Sequence, residues 1–163
     1  MELSDFNTLE HSEAAQILLS CAHVERWADE IVSARPYSSV DALAAATEEF
    51  ANPWTQAEID SALKRHPRIG ERAKGDDADA KMSRAEQARL GIDDDIQRRL
   101  DAGNAAYEEK FGFVFLIRAA GRSAEEILES LDERMNNTPE QERLIAADQL
   151  RQIAALRLKG MIS

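Results

Sequence analysis

Four helix-start signals of one kind recur along this chain, and they constrain its fold more than any other feature. Each has Ser or Thr followed three residues later by Glu or Gln, the capping box in which the two side chains bind the first backbone N–H groups of a helix. The pairs are Thr55 with Glu58, Ser83 with Glu86, Ser123 with Glu126, and Thr138 with Gln141. Pro139 follows Thr138 at the first helical position, where proline is favoured. The chain is therefore predicted to be rich in helices.

Apolar residues at helical spacing support this prediction on both sides of the boxes. Helices are predicted over 11–23, 24–36, 38–53, 55–67, 83–91, 93–112, 123–137 and 138–162, with a loop over 70–82. The segment 111–121, "FGFVFLIRAAG", has the aromatic and β-branched residues of a strand, but no other segment offers a partner strand. A buried extended segment or loop is predicted there. The fold is thus predicted to be all-α, a single-domain bundle of about seven or eight helices over residues 1–163.

Composition limits the environment and the partners. With 163 residues, 44% hydrophobic and 31% charged, the chain is typical of one soluble globular domain. The net charge of −11 argues against nucleic acid and anionic membranes as partners. A single cysteine, Cys21, excludes an intramolecular disulfide and a cysteine-based zinc site. The start of the chain lacks the apolar segment of a signal peptide, and the longest apolar run, 113–117, is far shorter than the roughly 20 residues of a membrane helix. A cytoplasmic protein is predicted.

An arginine lies on the apolar side of the last predicted helix. On a helical wheel the apolar arc contains Ala146, Ala147, Leu150, Ile153, Ala154, Leu158 and Met161. Arg157 falls inside this arc, between Ile153 and Leu150. A buried guanidinium needs a partner or a cavity, because an unpaired buried charge is costly. The alternative is that the long side chain reaches past the core to solvent or to a structural carboxylate.

A histidine occupies a similar place on the helix predicted over 55–67. His66 continues the apolar series of Ile59, Ala62 and Leu63, and Pro67 follows it. Because a residue before proline avoids the α conformation, the helix should end at His66 and the ring can turn away from the regular face. Taken alone, such a histidine is more often a core or capping residue than a catalytic one. With Arg157 and a Ser-Glu-Gln cluster it suggests a pocket, but these residues do not name a reaction.

Several motifs in order resemble one enzyme family. "RHPRIGE" at 65–71, "SRAEQ" at 83–87, "KFGFVFLI" at 110–117 and "LRL" at 156–158 are similar to the 2-oxo-4-hydroxy-4-carboxy-5-ureidoimidazoline (OHCU) decarboxylase family, and the N-terminal segments 5–9 and 18–43 extend the resemblance over nearly the whole chain. The resemblance implies an all-α bundle, usually a homodimer. It also implies an enzyme of the last step from urate to (S)-allantoin, whose small ureidoimidazoline substrate reacts without a cofactor or a metal.

The resemblance also implies roles for individual residues. His66 would be the general acid–base, Glu86 would orient it or hold the ureido group, and Arg157 would bind anionic or carbonyl oxygens. The substrate-binding positions that it implies are Pro67, Ser83, Gln87, Phe111, Gly112, Phe113 and Ile117, with the backbone of 113–117 lining the pocket. Arg118, the next residue, has no counterpart in these motifs and is interpreted as a surface or structural residue.

Two other functions compete with this interpretation. The chain could be a non-catalytic acidic all-α interaction module in which His66 and Arg157 are structural. It could also be a helical metal-dependent hydrolase that uses His66 with the acidic residues of 75–80. Only one histidine is well placed for metal binding, so the hydrolase is the weaker alternative.

Overall fold

The computed structural model describes residues 1–51, 53–70, 81, 82, 85 and 88–163. These residues form eight helices: α1 (Leu3–Thr8), α2 (His11–Cys21), α3 (Glu25–Ser33), α4 (Val40–Phe50), α5 (Gln56–Leu63), α6 (Asp94–Phe111), α7 (Ala124–Arg134) and α8 (Pro139–Met161). The described ranges contain no strand, which confirms the prediction of an all-α fold. No helix in this part of the chain combines the length and the apolar character needed to cross a membrane.

The capping boxes begin the helices that they predict. Three boxes lie in the described residues and stand at the starts of α5, α7 and α8: Thr55 with Glu58, Ser123 with Glu126, and Thr138 with Gln141. At α5 the exchange is reciprocal, because the Thr55 N–H donates to Glu58 Oε1 at 2.8 Å and the Glu58 N–H donates to Thr55 Oγ1 at 3.1 Å. The box of Ser83 and Glu86 lies outside the described residues.

The described chain divides into two compact units, of which the first contains Met1–Ala62 and Arg151–Ser163. Its core includes Trp27, whose side chain is fully buried and whose indole N–H donates to the Thr47 carbonyl at 2.9 Å. Trp54 packs edge-on against Trp27 with 5.7 Å between the ring centroids. The part of α8 in this unit buries Ile153, Ala154 and Leu158, as its helical wheel predicts.

The second unit, Leu63–Leu150, is organised around the buried face of α6. Ile96, Leu100, Tyr107 and Phe111 recur along this face at helical spacing. They pack in one apolar cluster with Ile69, Phe115, Ile117, Ala124, Ile127, Leu128 and Leu131. The prediction of one domain over 1–163 concerns the whole chain and stays a prediction.

The segment between α6 and α7 has no regular secondary structure, and its middle, 115–117, is buried. Helix α6 ends at Gly112, whose left-handed backbone (φ 80°) lets its N–H donate to the Glu108 carbonyl at 2.8 Å. Phe115, Leu116 and Ile117 follow without helix or strand hydrogen bonding, each at most 5% exposed. The predicted buried extended segment or loop is thereby confirmed for 115–117, whereas Phe111 belongs to α6. Side chains bind polar atoms of this backbone.

Candidate active site

His66 lies in a bend beyond the end of α5. The sequence predicts that the helix reaches His66, and this is wrong, because α5 ends at Leu63. The His66 N–H donates to the Leu63 carbonyl at 3.1 Å, the shorter-range bond that often closes a helix end. Pro67 has no N–H to donate to the Leu63 carbonyl, so the α-helical bond from residue 67 to residue 63 cannot form, and the helix ends at Leu63. His66 and Pro67 are therefore half-buried loop residues and not part of a helix face.

The three residues after Pro67 attach to α6. The Arg68 Nε–H points at the Glu108 carboxylate, 3.0 Å from Oε1 and 2.8 Å from Oε2. The Ile69 carbonyl accepts from Asn104 Nδ2 at 2.8 Å. Gly70 follows at a positive φ of 86° and lies against Leu100, which a Cβ at this position would approach to 3.0 Å. The loop that carries His66 is thus held on its C-terminal side by one helix.

A buried ion pair holds the extended segment 113–117 in the same unit. Arg134 is 6% exposed and Glu142 is fully buried. The Arg134 Nε–H donates to Glu142 Oε1 at 2.8 Å, and Nη1 donates to the Leu116 carbonyl at 2.8 Å. The guanidinium also lies 4.5 Å from the centre of the Phe115 ring, within the range of a cation–π interaction. The segment is therefore bound through both its backbone and a side chain.

Two further donors complete the shell of the Glu142 carboxylate. The Tyr107 hydroxyl donates to Oε1 at 2.6 Å, and Asn137 Nδ2 donates to Oε2 at 2.8 Å. Burial raises the pKa of Tyr107 well above its usual value, and the hydrogen bond to Glu142 raises it further. Tyr107 therefore keeps its proton at physiological pH and acts as a donor. We call Tyr107, Arg134, Asn137 and Glu142 the Glu142 cluster; none of its residues is identified by the sequence motifs.

The end of the extended segment is held by α8 and by its own following turn. The Arg118 N–H donates to Gln149 Oε1 at 2.8 Å, and its carbonyl accepts from Arg122 Nε at 3.0 Å. Gln149 is 8% exposed, so this contact is inside the unit. Arg118, which the sequence leaves as surface or structural, is half-buried and contributes to structure through its backbone.

Arg157 lies on α8, in the first unit. It is 6% exposed, which confirms the prediction that it lies on the buried side of the last helix. Its Nη1 is 3.5 Å from the Ser20 carbonyl and 3.4 Å from the Cys21 carbonyl, at the end of α2. The role of Arg157 in substrate binding stays a prediction.

The other predicted site residues divide into three groups. Ser83, Glu86 and Gln87 lie outside the described residues, as do the acidic residues of 75–80. Phe111 and Ile117 are 8% and 5% exposed, and their side chains belong to the apolar cluster of the second unit. Phe113 is partly buried against the same apolar cluster, which also contains Ile69, and Gly112 is exposed at the end of α6. Among the residues that the structure describes, no three His, Cys, Asp or Glu side chains form a metal-binding group.

Comparison with known proteins identifies the family. The family model for OHCU decarboxylase matches residues 7–159. The chain belongs to the OHCU decarboxylase family. It is 32% identical to 2-oxo-4-hydroxy-4-carboxy-5-ureidoimidazoline decarboxylase of Amia calva, over 99% of this chain and 95% of the relative. It is also 29% identical to the uric acid degradation bifunctional protein of Bacillus sp. (strain TB-90), over 98% of this chain and 32% of that longer protein.

Solved structures agree with the family assignment. A crystal structure of OHCU decarboxylase in the presence of (S)-allantoin matches with a TM-score of 0.74 and 27% identity, covering 90% of this chain and 96% of that one. A crystal structure of (S)-allantoin synthase shares the fold, with a TM-score of 0.72 and 22% identity over 99% of this chain and 54% of that one. The family, the all-α fold and the assignment as a decarboxylase of urate degradation, a carboxy-lyase, are thereby confirmed.

Proposed function

We propose that this OHCU decarboxylase family member converts 2-oxo-4-hydroxy-4-carboxy-5-ureidoimidazoline to (S)-allantoin and CO₂, the last step from urate to allantoin. The observation that carries the proposal is the match to a relative with this name over almost the full length of both chains. The solved structure obtained in the presence of (S)-allantoin supports the same product.

The substrate itself explains how the reaction can proceed without a cofactor. Its carboxylate is attached to a ring carbon that also bears the hydroxyl and lies next to a C=N bond. When the bond to CO₂ breaks, the electron pair moves into the bond between the two ring carbons, and the C=N electrons move onto nitrogen, which takes up a proton from solvent. The hydroxyl then loses its proton to become a carbonyl, and the neighbouring carbon gains a proton. The protein must orient the breaking bond, stabilise the developing charge and deliver a proton to one face.

His66 is proposed as the general acid–base in these proton transfers. An imidazole can accept and return a proton near neutral pH, which the loss of the hydroxyl proton requires. Its place in a half-buried loop suits this role, because the side chain is neither in the core nor fully in solvent. Delivery of the proton to one face would give a single allantoin enantiomer, whereas the uncatalysed reaction gives both.

The other polar residues are proposed to bind and orient the substrate. Glu86 would orient His66 or accept hydrogen bonds from the ureido N–H groups, and Arg157 would bind anionic or carbonyl oxygens through its planar guanidinium. Ser83, Gln87 and backbone groups of 113–117 would match the remaining donors and acceptors of the ring. Hydrogen bonds to the Leu116 carbonyl and the Arg118 N–H support this last part, because they hold the extended segment at two points.

Arg157→Lys tests the binding role of Arg157. Lysine keeps the charge but cannot form two parallel hydrogen bonds, so substrate capture should weaken and KM should rise more than kcat falls. Steady-state kinetics with freshly prepared substrate measure both constants. An unchanged kcat/KM would remove Arg157 from the site.

A homodimer and a cytoplasmic location are further parts of the proposal. The homodimer rests on the family resemblance, and the location rests on the composition of the chain. Light scattering coupled to size-exclusion chromatography tests the first, and a mass of one chain at micromolar concentration would contradict it. Fractionation of cells that express the natural protein tests the second.

The experiment that tests the reaction follows circular dichroism while the protein acts on freshly generated substrate. Urate, urate oxidase and the hydrolase that follows it supply that substrate in the cuvette. We expect the optical activity of (S)-allantoin to appear at a rate proportional to the protein concentration. Formation of racemic product at the uncatalysed rate would contradict the proposal and favour the non-catalytic interaction module.

A further inference from the structure

Consecutive residues of the His66 loop attach to one face of α6. Arg68 contacts Glu108, Ile69 contacts Asn104, and Gly70 lies against Leu100. These positions of α6 are four residues apart, and residues at this spacing share one helix face. The loop therefore runs antiparallel to α6 and meets it once per helical turn.

Asn104 is a polar residue in an apolar position. It is 1% exposed and lies on α6 between Leu100 and Tyr107, both members of the apolar cluster. Its Nδ2 donates to the Ile69 carbonyl, while its Oδ1 is buried with no hydrogen-bond partner within the described part of the chain. A buried acceptor without a partner lowers stability. An amide at this position therefore lowers the stability of the fold. The contact that it provides in return is the hydrogen bond to the Ile69 carbonyl of the loop.

Glu108 binds the loop at the surface. Its carboxylate lies 26% exposed, and both of its oxygens are within 3.0 Å of Arg68 Nε. An exposed ion pair contributes little to stability, but the Arg68 Nε–H is shared between both carboxylate oxygens, so this edge of the guanidinium faces Glu108. The ion pair therefore holds Arg68 in place on α6 more than it stabilises the fold.

The backbone between Arg68 and the His66 imidazole has little conformational freedom. Only Pro67 separates Arg68 from His66, and the proline ring fixes the φ angle of its own residue. The proline also restricts the backbone of His66 to extended conformations. A displacement of Arg68 or Ile69 would therefore displace His66 by a similar distance.

We propose that Asn104 and Glu108 are positioning residues that fix the imidazole of His66 by holding Ile69 and Arg68. The inference rests on the proposed function, in which His66 is the general acid–base. It assigns a task in catalysis to α6, the helix that forms the core of the second unit. Neither Asn104 nor Glu108 belongs to the motifs that carry the family resemblance.

Glu108→Ala tests the surface anchor, and Arg26→Ala provides its matched control. Arg26 and Glu58 form another ion pair with two close contacts, at 2.9 and 3.0 Å, in the first unit. We expect Glu108→Ala to lower kcat about 10-fold with KM changed less than about twofold, because misplacement of a catalytic group affects the chemical step. Arg26→Ala should leave kcat unchanged. An equal fall of kcat in both variants, or no fall in Glu108→Ala, would overturn the proposal.

A charge exchange tests whether the contact itself matters. The double variant Arg68→Glu with Glu108→Arg restores an ion pair of opposite direction between the two positions. We expect it to recover part of the kcat that either single substitution loses. Recovery to no more than the level of the single variants would contradict the surface part of the proposal.

Asn104→Leu tests the buried anchor. Leucine removes the bond to Ile69 and the unpartnered oxygen together, so we expect a folded protein whose kcat falls by up to about 10². If this variant does not fold, Glu108→Ala decides the proposal alone. A folded Asn104→Leu variant with the kcat of the natural protein would overturn it.

A spectroscopic measurement separates this inference from the proposed function. The chain has three histidines, so the ring C–H resonances of His11, His23 and His66 can be assigned by substitution. We expect Glu108→Ala and Asn104→Leu to shift or broaden the His66 signal and to leave the His11 signal unchanged. If the natural protein does not decarboxylate the substrate, the proposed function fails while this measurement still tests positioning. An unchanged His66 signal in both variants would overturn positioning even if the natural protein is active.

Discussion

Two irregular segments of the second unit, 66–70 and 113–118, are held in opposite ways. The loop of 66–70 is attached to α6 by a half-exposed ion pair and one buried amide. The extended segment of 113–118 is attached by a fully buried carboxylate and a buried guanidinium through the Glu142 cluster. The first attachment is the one that we propose positions His66, whereas the second holds a stretch of backbone. The comparison indicates that the contacts of the loop mainly set the position of its residues, and that the contacts of the extended segment mainly stabilise the fold.

Desolvation explains why the two attachments should respond differently to mutation. A charge that is removed from water loses its hydration, and only its protein partners replace it. Glu142 accepts from Tyr107, Arg134 and Asn137, so removing it leaves the Arg134 charge buried. Arg68 is 53% exposed, and water can replace Glu108 as its partner. The Glu142 cluster should therefore control stability, and the loop contacts should control rate.

The largest effect is expected for Glu142→Ala. Removal of one member of a buried ion pair costs about 3–5 kcal/mol, so the free energy of unfolding should fall by this amount. Urea unfolding followed by circular dichroism measures it. Glu140→Ala, on the exposed side of the same helix start, is the control and should cost less than about 1 kcal/mol. A loss from Glu142→Ala as small as the control would remove the distinction between the two segments.

The next effect is on rate and concerns His66→Asn. Asparagine cannot act as a general acid–base, so decarboxylation should fall by at least about 10². The His66→Asn variant should lose less unfolding free energy than Glu142→Ala, because His66 lies in a half-buried loop. Turnover by circular dichroism and unfolding in urea provide the two values. Turnover near that of the natural protein would remove His66 from the mechanism.

Tyr107→Phe should have an intermediate effect on stability. Loss of a hydrogen bond to a charged group costs about 1.5–3 kcal/mol, and Arg134 and Asn137 still bind Glu142 in this variant. Urea unfolding near neutral pH gives the value. A cost equal to that of Glu142→Ala would show that the hydroxyl, and not the ion pair, is the centre of the cluster.

The same variant should also change stability at alkaline pH. The pKa of Tyr107 is raised in the folded chain, so its contribution is full below the usual pKa of about 10 and is lost as the pH rises above that value. Burial also raises the pKa of Tyr37 to about 12, so a second, independent alkaline loss remains in Tyr107→Phe. We expect the variant to lose less unfolding free energy than the natural protein between about pH 9 and pH 11. Equal losses would contradict a buried hydroxyl donor.

The smallest effect is the stability change of Arg68→Ala. Exposed ion pairs contribute about 0–1 kcal/mol, so the free energy of unfolding should hardly change. When the free energy of unfolding is measured for both variants, Arg68→Ala should give the smallest loss and Glu142→Ala the largest. A loss above about 2 kcal/mol would show that the loop is also a stability element.

Local signals in the sequence were sufficient for α2 to α8 and for the buried face of α8, whereas α1 (Leu3–Thr8) was not predicted. The boxes of Thr55 and Thr138 start α5 and α8, because capping depends only on residues a few positions apart. The wheel that places Arg157 on the buried face depends only on helical spacing. The family and its reaction came from longer motifs in a fixed order, which neither spacing nor composition could supply.

Contacts between distant parts of the sequence could not be predicted in this way. Arg134 at the end of one helix and Glu142 in the first turn of the next both have the charge that favours those positions, so nothing marks them as a buried pair. Tyr107 joins them from 35 residues before Glu142. A signal did exist for Asn104, since it continues the spacing of Leu100, Tyr107 and Phe111 on α6. The prediction placed the end of α5 at His66 because it considered only the restricted conformation before Pro67, whereas the missing N–H of Pro67 also removes the α-helical bond to the Leu63 carbonyl.

The unpartnered oxygen of Asn104 has a consequence for engineering this enzyme. A selection for heat resistance alone would favour apolar residues at a buried position of this kind, because they remove an unsatisfied acceptor. If Asn104 positions His66, the same selection would collect variants that survive heating and turn over slowly. A library of this protein should therefore be sorted by residual activity after heating, with position 104 held constant in a parallel library as the reference.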